Sequence, residues 1–219
     1  NFGQPSRITA TTHVGDGDLI DIEREVDLGG SIHSKGVLIL SSFIASRYAQ
    51  NQPLALSASL VFEQNYGIVD GDSASMAELC ALLSSLAGIP IKQSIAMTGS
   101  VNQHGVSQPI GGVNYKVEGF YQVCKSRGLT KEQGVIIPKT NIRNLMLNSD
   151  VVRAVTKKSF SIYAIENIDQ AMEILTGIPM GEKDADGNYP ADSLNGRILK
   201  RLGEMAKIRQ NFGESSKEF

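Results

Sequence analysis

Tryptophan is absent from the 219 residues, phenylalanine and tyrosine are sparse, and no Lys/Arg-rich run occurs in a chain of formal charge −2. With neither base-stacking aromatics nor a phosphate-neutralising surface, nucleic acid is not an expected partner. No stretch approaches the ~20 apolar residues that span a bilayer and no charged-then-apolar leader opens the chain, so a cytoplasmic protein without a membrane partner is expected. Histidine is scarce: His13, His33 and His104 show no paired spacing, and with only Cys80 and Cys124 beside them they give no metal-ligand signature. Each cysteine falls on the apolar periodicity of a helix, which predicts buried, reduced thiols. No Gly-x-x-x-x-Gly-Lys-Ser/Thr is present, so no nucleotide cofactor is expected in this chain. A start at Asn1 instead of methionine suggests a piece of something longer.

What is present is an ordinary globular composition, 41% apolar and 20% charged, in which strand-like and helix-like patterns alternate. The class expected is α/β or α+β, with mixed sheets and flanking helices. Residues 19–26 read as an extended segment with charges on one face, ended by Gly29-Gly30. Val37, Leu40, Ile44 and Tyr48 mark a helix, and Leu54 to Phe62 alternate as a strand. A helix from Ser75 to Ala87 stops at Gly88 and Pro90. Gln93 to Ser100 and Val106 to Ile110 read as strands around a hairpin turn, followed by a helix with the stripe Val113, Val117, Phe120 and Cys124. The strand 134–138, a short helix near 142–147, the strand 159–165 and an Asn167-capped helix to Leu175 complete the alternation. Residues 177–190 are rich in Gly, Pro and Asp and read as a linker. A basic helix with scattered apolar residues follows from Ser193 to Arg209, and Gly213 to Phe219 form a loose end.

Two places carry chemistry. In Val69-Asp70-Gly71-Asp72-Ser73-Ala74-Ser75 an acidic glycine turn runs into a helix, so Ser73 lies where free N–H groups and the helix dipole can stabilise an oxyanion. Alone, Ser73 reads as an N-cap. That role is already crowded, because Asp70, Asp72 and Ser75 can all cap and Ser75 with Glu78 makes a Ser-x-x-Glu capping box. In Pro109-Ile110-Gly111-Gly112-Val113-Asn114-Tyr115-Lys116 a second glycine turn feeds a helix with a lysine in its first turn. The dipole disfavours an ammonium there, and dryness would lower its pKa toward that of a base. Taken alone this lysine reads as a solvated one. The histidines would be needed for a Ser–His–Asp triad, but His33 at a loop-to-helix junction and His104 in a turn read as surface or capping residues.

The two segments, with Met97-Thr98-Gly99 between them, resemble the proteolytic domain of the Lon family of ATP-dependent proteases. The resemblance runs over roughly residues 5–178 and predicts a Lon-type domain at 1–178, with linker and helical extension at 179–219. It implies that Ser73 and Lys116 form a catalytic Ser–Lys dyad and that the Thr98 hydroxyl hydrogen-bonds the lysine; beside them Asp70 and Asp72 are candidate supporting residues, Asp70 reading equally as a simple turn residue. Asp72 replaces the bacterial type's proline and Ser75 its final glycine, and Phe62-Glu63-Gln64-Asn65-Tyr66 stands where a His-rich segment would be; these resemble the LonB-like branch. The family further implies polypeptide substrates, a homo-hexameric ring, and an ATPase region using ATP and Mg outside this chain; extended segments are expected to bind by adding a strand beside the active-site sheet. The alternative is a non-peptidase Lon-like module that serves as a ring-forming platform, which would be expected to lack the serine or the lysine.

Overall fold

The computed structural model describes residues 2–50 and 53–215, with side chains given as far as Phe212. The chain opens with strand β1 (Arg7–Val14), a short strand β2 (Leu19–Asp21), a one-turn helix α1 (Ile22–Glu25), the long helix α2 (Ser31–Tyr48) and strand β3 (Leu56–Glu63). β3 is the centre of a three-stranded sheet, antiparallel to β1 and parallel to β2. Its alternation sends Leu56, Ala58 and Leu60 into the main core beside Leu40, Phe43 and Ile44 of α2. On the other face Ser59 meets Thr11 of β1 through their hydroxyls at 2.7 Å. β1 was not legible as a strand: its run Arg-Ile-Thr-Ala-Thr-Thr-His-Val carries few large apolar residues, and pairing along the whole of β3 defines it.

The segment 19–26, expected to be extended throughout, turns helical at Ile22. The Glu23 carbonyl accepts the N–H groups of Leu28 and Gly29, and the Glu23 carboxylate accepts the Phe62 N–H at the end of β3. Those bonds fold the chain back and bury a charge that an all-strand pattern would leave in solvent.

Helix α3 (Ser75–Ala87) crosses the middle of the molecule, burying Met76, Leu79, Cys80, Leu82, Leu83 and Leu86. Gly88 ends it at φ +64°, a left-handed cap open to glycine at little cost. The strand expected from 93 to 100 is two short pieces, β4 (Ile95–Met97) and β5 (Ser100–Val101). Between them the backbone of Thr98 and Gly99 is occupied elsewhere, as described below. β5 pairs antiparallel with β6 (Ser107–Gln108), and the Asn102 side-chain oxygen closes the turn by accepting from the N–H groups of His104 and Val106.

Helix α4 (Val113–Arg127), strand β7 (Gly134–Pro138), helix α5 (Ser149–Thr156), strand β8 (Ser161–Ile165) and helix α6 (Ile168–Thr176) follow. β4, β7 and β8 form a parallel sheet with β7 in the middle, so α4 and α5 are its crossover connections. β7 is buried along its whole length. Ile136 enters the main core, whereas Val135 and Ile137 join Val113, Val117, Tyr121 and Phe160 in a second core under α4. Tyr121, not Phe120, completes the buried stripe of α4. The short helix expected near 142–147 is a 3-10 turn at Lys139–Asn144, and α5 comes after it. Asn167 caps α6 by accepting the Gln170 N–H at 3.0 Å.

The final helix α7 (Leu194–Ser215) is amphipathic. Leu194, Ile198, Leu202 and Met205 fall on one face and are buried in the main core with α3. The backbone of residues 213–215, expected to be loose, continues this helix, and 216–219 lie outside the described residues. Cys80 and Cys124 are buried free thiols on α3 and α4. Among the described residues, no helix is long and apolar enough to cross a membrane.

Candidate active site

Ser73 stands in the turn just before α3. Gly71, at φ +90° with open space where a Cβ would be, gives that turn a conformation that other residues rarely adopt. The segment Thr98-Gly99 laces the turn in place. The Gly99 N–H donates to the Ser73 carbonyl at 2.9 Å, the Met76 N–H donates to the Gly99 carbonyl at 3.2 Å, and the Thr98 N–H donates to Ile136 of β7 at 3.0 Å. The Val101 N–H donates to Ser75 Oγ at 3.2 Å. The parallel sheet is thus coupled to the serine through the interruption between β4 and β5.

The capping expected at this helix does not form. Ala74 is the N-cap residue and no side chain caps it. Ser75 Oγ is taken by Val101, and Glu78 turns into the protein interior. Tertiary bonds have displaced the local option. No acceptor among the described residues meets the amide N–H of Ser73 or Ala74, so both donors are free to receive an anion at the positive end of α3.

Lys116 reaches the serine from α4. Gly112, the N-cap residue at φ +68°, turns the chain into that helix. Val113 and Val117 anchor the first turn in the second core, which leaves Lys116 half-buried at the edge of the stripe. Its Nζ donates to Ser73 Oγ at 2.7 Å. Burial holds the lysine pKa below its ordinary range, with the nearby Asp72 carboxylate opposing the shift.

The structure brings the other singled-out residues together only in part. Thr98 is buried next to the pair, but its hydroxyl donates to the Ser73 carbonyl at 3.4 Å and not to Lys116. Asp72 accepts from Ser100 Oγ at 2.9 Å and faces the lysine as a charge. Asp70 is exposed, accepts the Gly71 N–H at 2.8 Å, and packs where a Cβ on Gly30 would stand; it shapes the turn against the start of α2.

No hydrogen bond joins a histidine to Ser73 among the described residues. His13 and His104 are exposed. His33, expected at the surface, is instead buried, with Nε2 at 3.2 Å from Asp21 and 3.7 Å from Glu78. No spacing announces this, because α2, β2 and α3 meet only on folding. A groove of about 630 Å³ runs along the start of α4, lined by Ile110, Gly112, Asn114, Tyr115, Asn141 and Met146 among others; neither Ser73 nor Lys116 lines it.

Comparison with known proteins shows the family. The family of the Lon protease (S16) C-terminal proteolytic domain matches residues 67–177, which include the serine turn, Thr98 and Lys116. A protein of Escherichia coli (strain K12) named a Lon protease homolog is 52% identical over 177 residues, covering 81% of this chain and 30% of that protein. A Lon protease homolog of Haemophilus influenzae is 46% identical over 212 residues, 96% of this chain and 35% of that protein. The archaeal Lon protease of Thermococcus kodakarensis is 37% identical over 145 residues, 66% of this chain and 21% of that protein. The chain therefore spans about a third or less of the length of these relatives. With a mixed α/β fold, a serine at the head of a buried helix and a family match across half its length, the chain belongs to the Lon family as a serine-type peptidase domain.

Proposed function

We propose that this chain is the peptidase unit of an ATP-dependent Lon-like protease that cuts unfolded polypeptides through a Ser73–Lys116 dyad. The observation that carries the reading is the 2.7 Å contact between Lys116 Nζ and Ser73 Oγ, made by a lysine whose pKa burial lowers. In its neutral form the amine accepts the Ser73 proton as Oγ attacks a peptide carbonyl, then returns it to the leaving amine; water resolves the acyl-enzyme. The N–H groups of Ser73 and Ala74, without an acceptor among the described residues, are the donors proposed for the oxyanion, each such donor contributing about 3 kcal/mol. Asp72 tunes the charge of the lysine, and Thr98 holds the serine carbonyl so that the turn keeps its shape.

Substrates enter as extended segments added beside the active-site strands. ATP and Mg act at an ATPase region outside this chain, which feeds cytoplasmic substrates to a homo-hexameric ring. The 179–219 extension rests on the 1–178 unit through α7. The platform alternative is less well supported, because a module without peptidase work has no need for a serine and a half-buried lysine in contact.

The test is cleavage of an unstructured protein by the chain with and without its ATPase region, alongside a serine-reactive probe. Cleavage that Ser73→Ala abolishes, with labelling at Ser73, supports the peptidase. An assembled protein that neither cleaves nor labels returns the platform reading.

A further inference from the structure

Four titratable side chains meet in the interior at the first turn of α3. Asp21 ends β2, Glu23 lies in α1, His33 in the first turn of α2 and Glu78 in the first turn of α3; their exposures are 0, 3, 1 and 1%. His33 Nε2 stands 3.2 Å from Asp21 Oδ2 and 3.7 Å from Glu78 Oε1. One ligand atom each from Asp21, Glu23 and His33 lies within 4.8 Å of the others. One Glu23 oxygen accepts the Phe62 N–H at 2.8 Å, and the Phe62 ring sits edge-on to the imidazole at 5.6 Å between centroids. Apart from these His33 contacts, both oxygens of Asp21, both of Glu78 and the second of Glu23 are buried without a hydrogen-bond partner.

Native interiors rarely leave such groups unpaired, since an unsatisfied buried carboxylate costs several kcal/mol on the order usual for buried ions. A single imidazolium offers at most one positive charge to three acids. Burial, with the neighbouring Asp21 and Glu23 carboxylates adding to it and His33 opposing it, pushes the Glu78 carboxyl up to about 7. A cation at the centre resolves this. Ligand atoms bound at about 2.1 Å are separated by roughly 3.0–3.4 Å along the edges of an octahedron or tetrahedron, close to the spacing His33 keeps with Asp21. Several carboxylate oxygens and one imidazole nitrogen are donors of the borderline, oxygen-rich kind.

We propose that Asp21, Glu23, His33 and Glu78 form a buried site for one divalent cation of the Zn2+ or Mn2+ class. The site is structural, because its four side chains are buried and Ser73 Oγ bonds to Lys116 and to none of them. Glu78 comes five residues after Ser73, so the cation ties β2, α1 and α2 to the first turn of the helix that carries the serine turn. The same cluster explains why Glu78 forgoes the capping box that its spacing offers.

The experiment is metal binding by the purified full chain, stripped with a chelator and then dialysed against Mn2+ or Zn2+ alone. Wild type is expected to retain one equivalent per chain, with a raised midpoint of thermal unfolding. The Co2+-loaded protein should show visible ligand-field bands that shift in His33→Gln, which removes the nitrogen donor. Asp21→Asn with Glu78→Gln should weaken binding at least tenfold. The wild-type measurement does not depend on how the variants fold. A stripped wild type that takes up no stoichiometric metal, or a folded double variant that binds as tightly as wild type, overturns the site and leaves a proton-sharing cluster in its place.

Discussion

Lys116 Nζ donates a 2.7 Å hydrogen bond to Ser73 Oγ although 43 residues separate them in the sequence. Two independent anchors make that contact. Val113 and Val117 fix the first turn of α4 in the second core, and the Gly99 amide fixes the Ser73 carbonyl. The pair therefore reports on both cores at once, and small changes at either anchor should be felt as lost activity.

Activity should climb as pH rises through the lowered pKa of Lys116, because only the neutral amine accepts a proton. The stability effect has the same sign. Between the lowered folded value and the ordinary lysine value the unfolded chain binds more protons than the folded one, so stability also rises with pH across that window. Denaturant midpoints measured at several alkaline pH values should show this slope in wild type and a shallower one in Lys116→Met. That variant should be inactive yet as stable as wild type or more so, by about 0.3–1 kcal/mol, having lost a cation from a helix N-terminus.

Gly99→Ala tests the lacing of the serine turn. A Cβ there would stand 2.5 Å from Met76 Cε and 3.1 Å from both Met76 Sδ and Pro138 Cγ, with Met76 fully buried. Overpacking of this kind costs about 1–3 kcal/mol. Chemical denaturation should show that loss together with a fall in turnover larger than the unfolded fraction explains, because the Gly99 backbone holds Ser73.

The histidines separate into two kinds. Replacing exposed His13 and His104 together by Gln should leave turnover and stability near wild type. His33→Gln should instead destabilise by about 3–5 kcal/mol, since it leaves buried carboxylates without their nearest positive group. A folded remnant of that variant should still cleave. Loss of about a hundredfold in turnover by the folded fraction would give His33 the role of a general base.

Helix α7 packs its inner face into the main core. Ile198 is fully buried on its inner face, so Ile198→Ala should lower stability by about 2–5 kcal/mol, read from urea unfolding.

The sequence motifs singled out residues that meet in the fold, because each lies where a turn leads into a helix. Ser73, Lys116 and the Met97-Thr98-Gly99 segment lie together as their order suggests. Local rules failed where long-range bonds competed. Ser75 and Glu78 have capping-box spacing, but Val101 claims one and the buried cluster the other. Thr98 donates to the serine carbonyl and not to the lysine. β1 escaped notice because its threonines earn their place only by pairing with β3. The cluster of Asp21, Glu23, His33 and Glu78 could not be seen in any spacing, since each residue comes from a different element.

The most direct measurement compares cleavage of an unstructured protein by wild type, Ser73→Ala and Lys116→Arg, each assembled with its ATPase region. Arginine keeps the charge and much of the length of lysine but stays protonated, so it cannot accept the serine proton. The dyad predicts that Lys116→Arg is as inactive as Ser73→Ala while remaining folded. Turnover retained in Lys116→Arg but absent in Ser73→Ala would contradict it, leaving the serine as nucleophile with another group as its base.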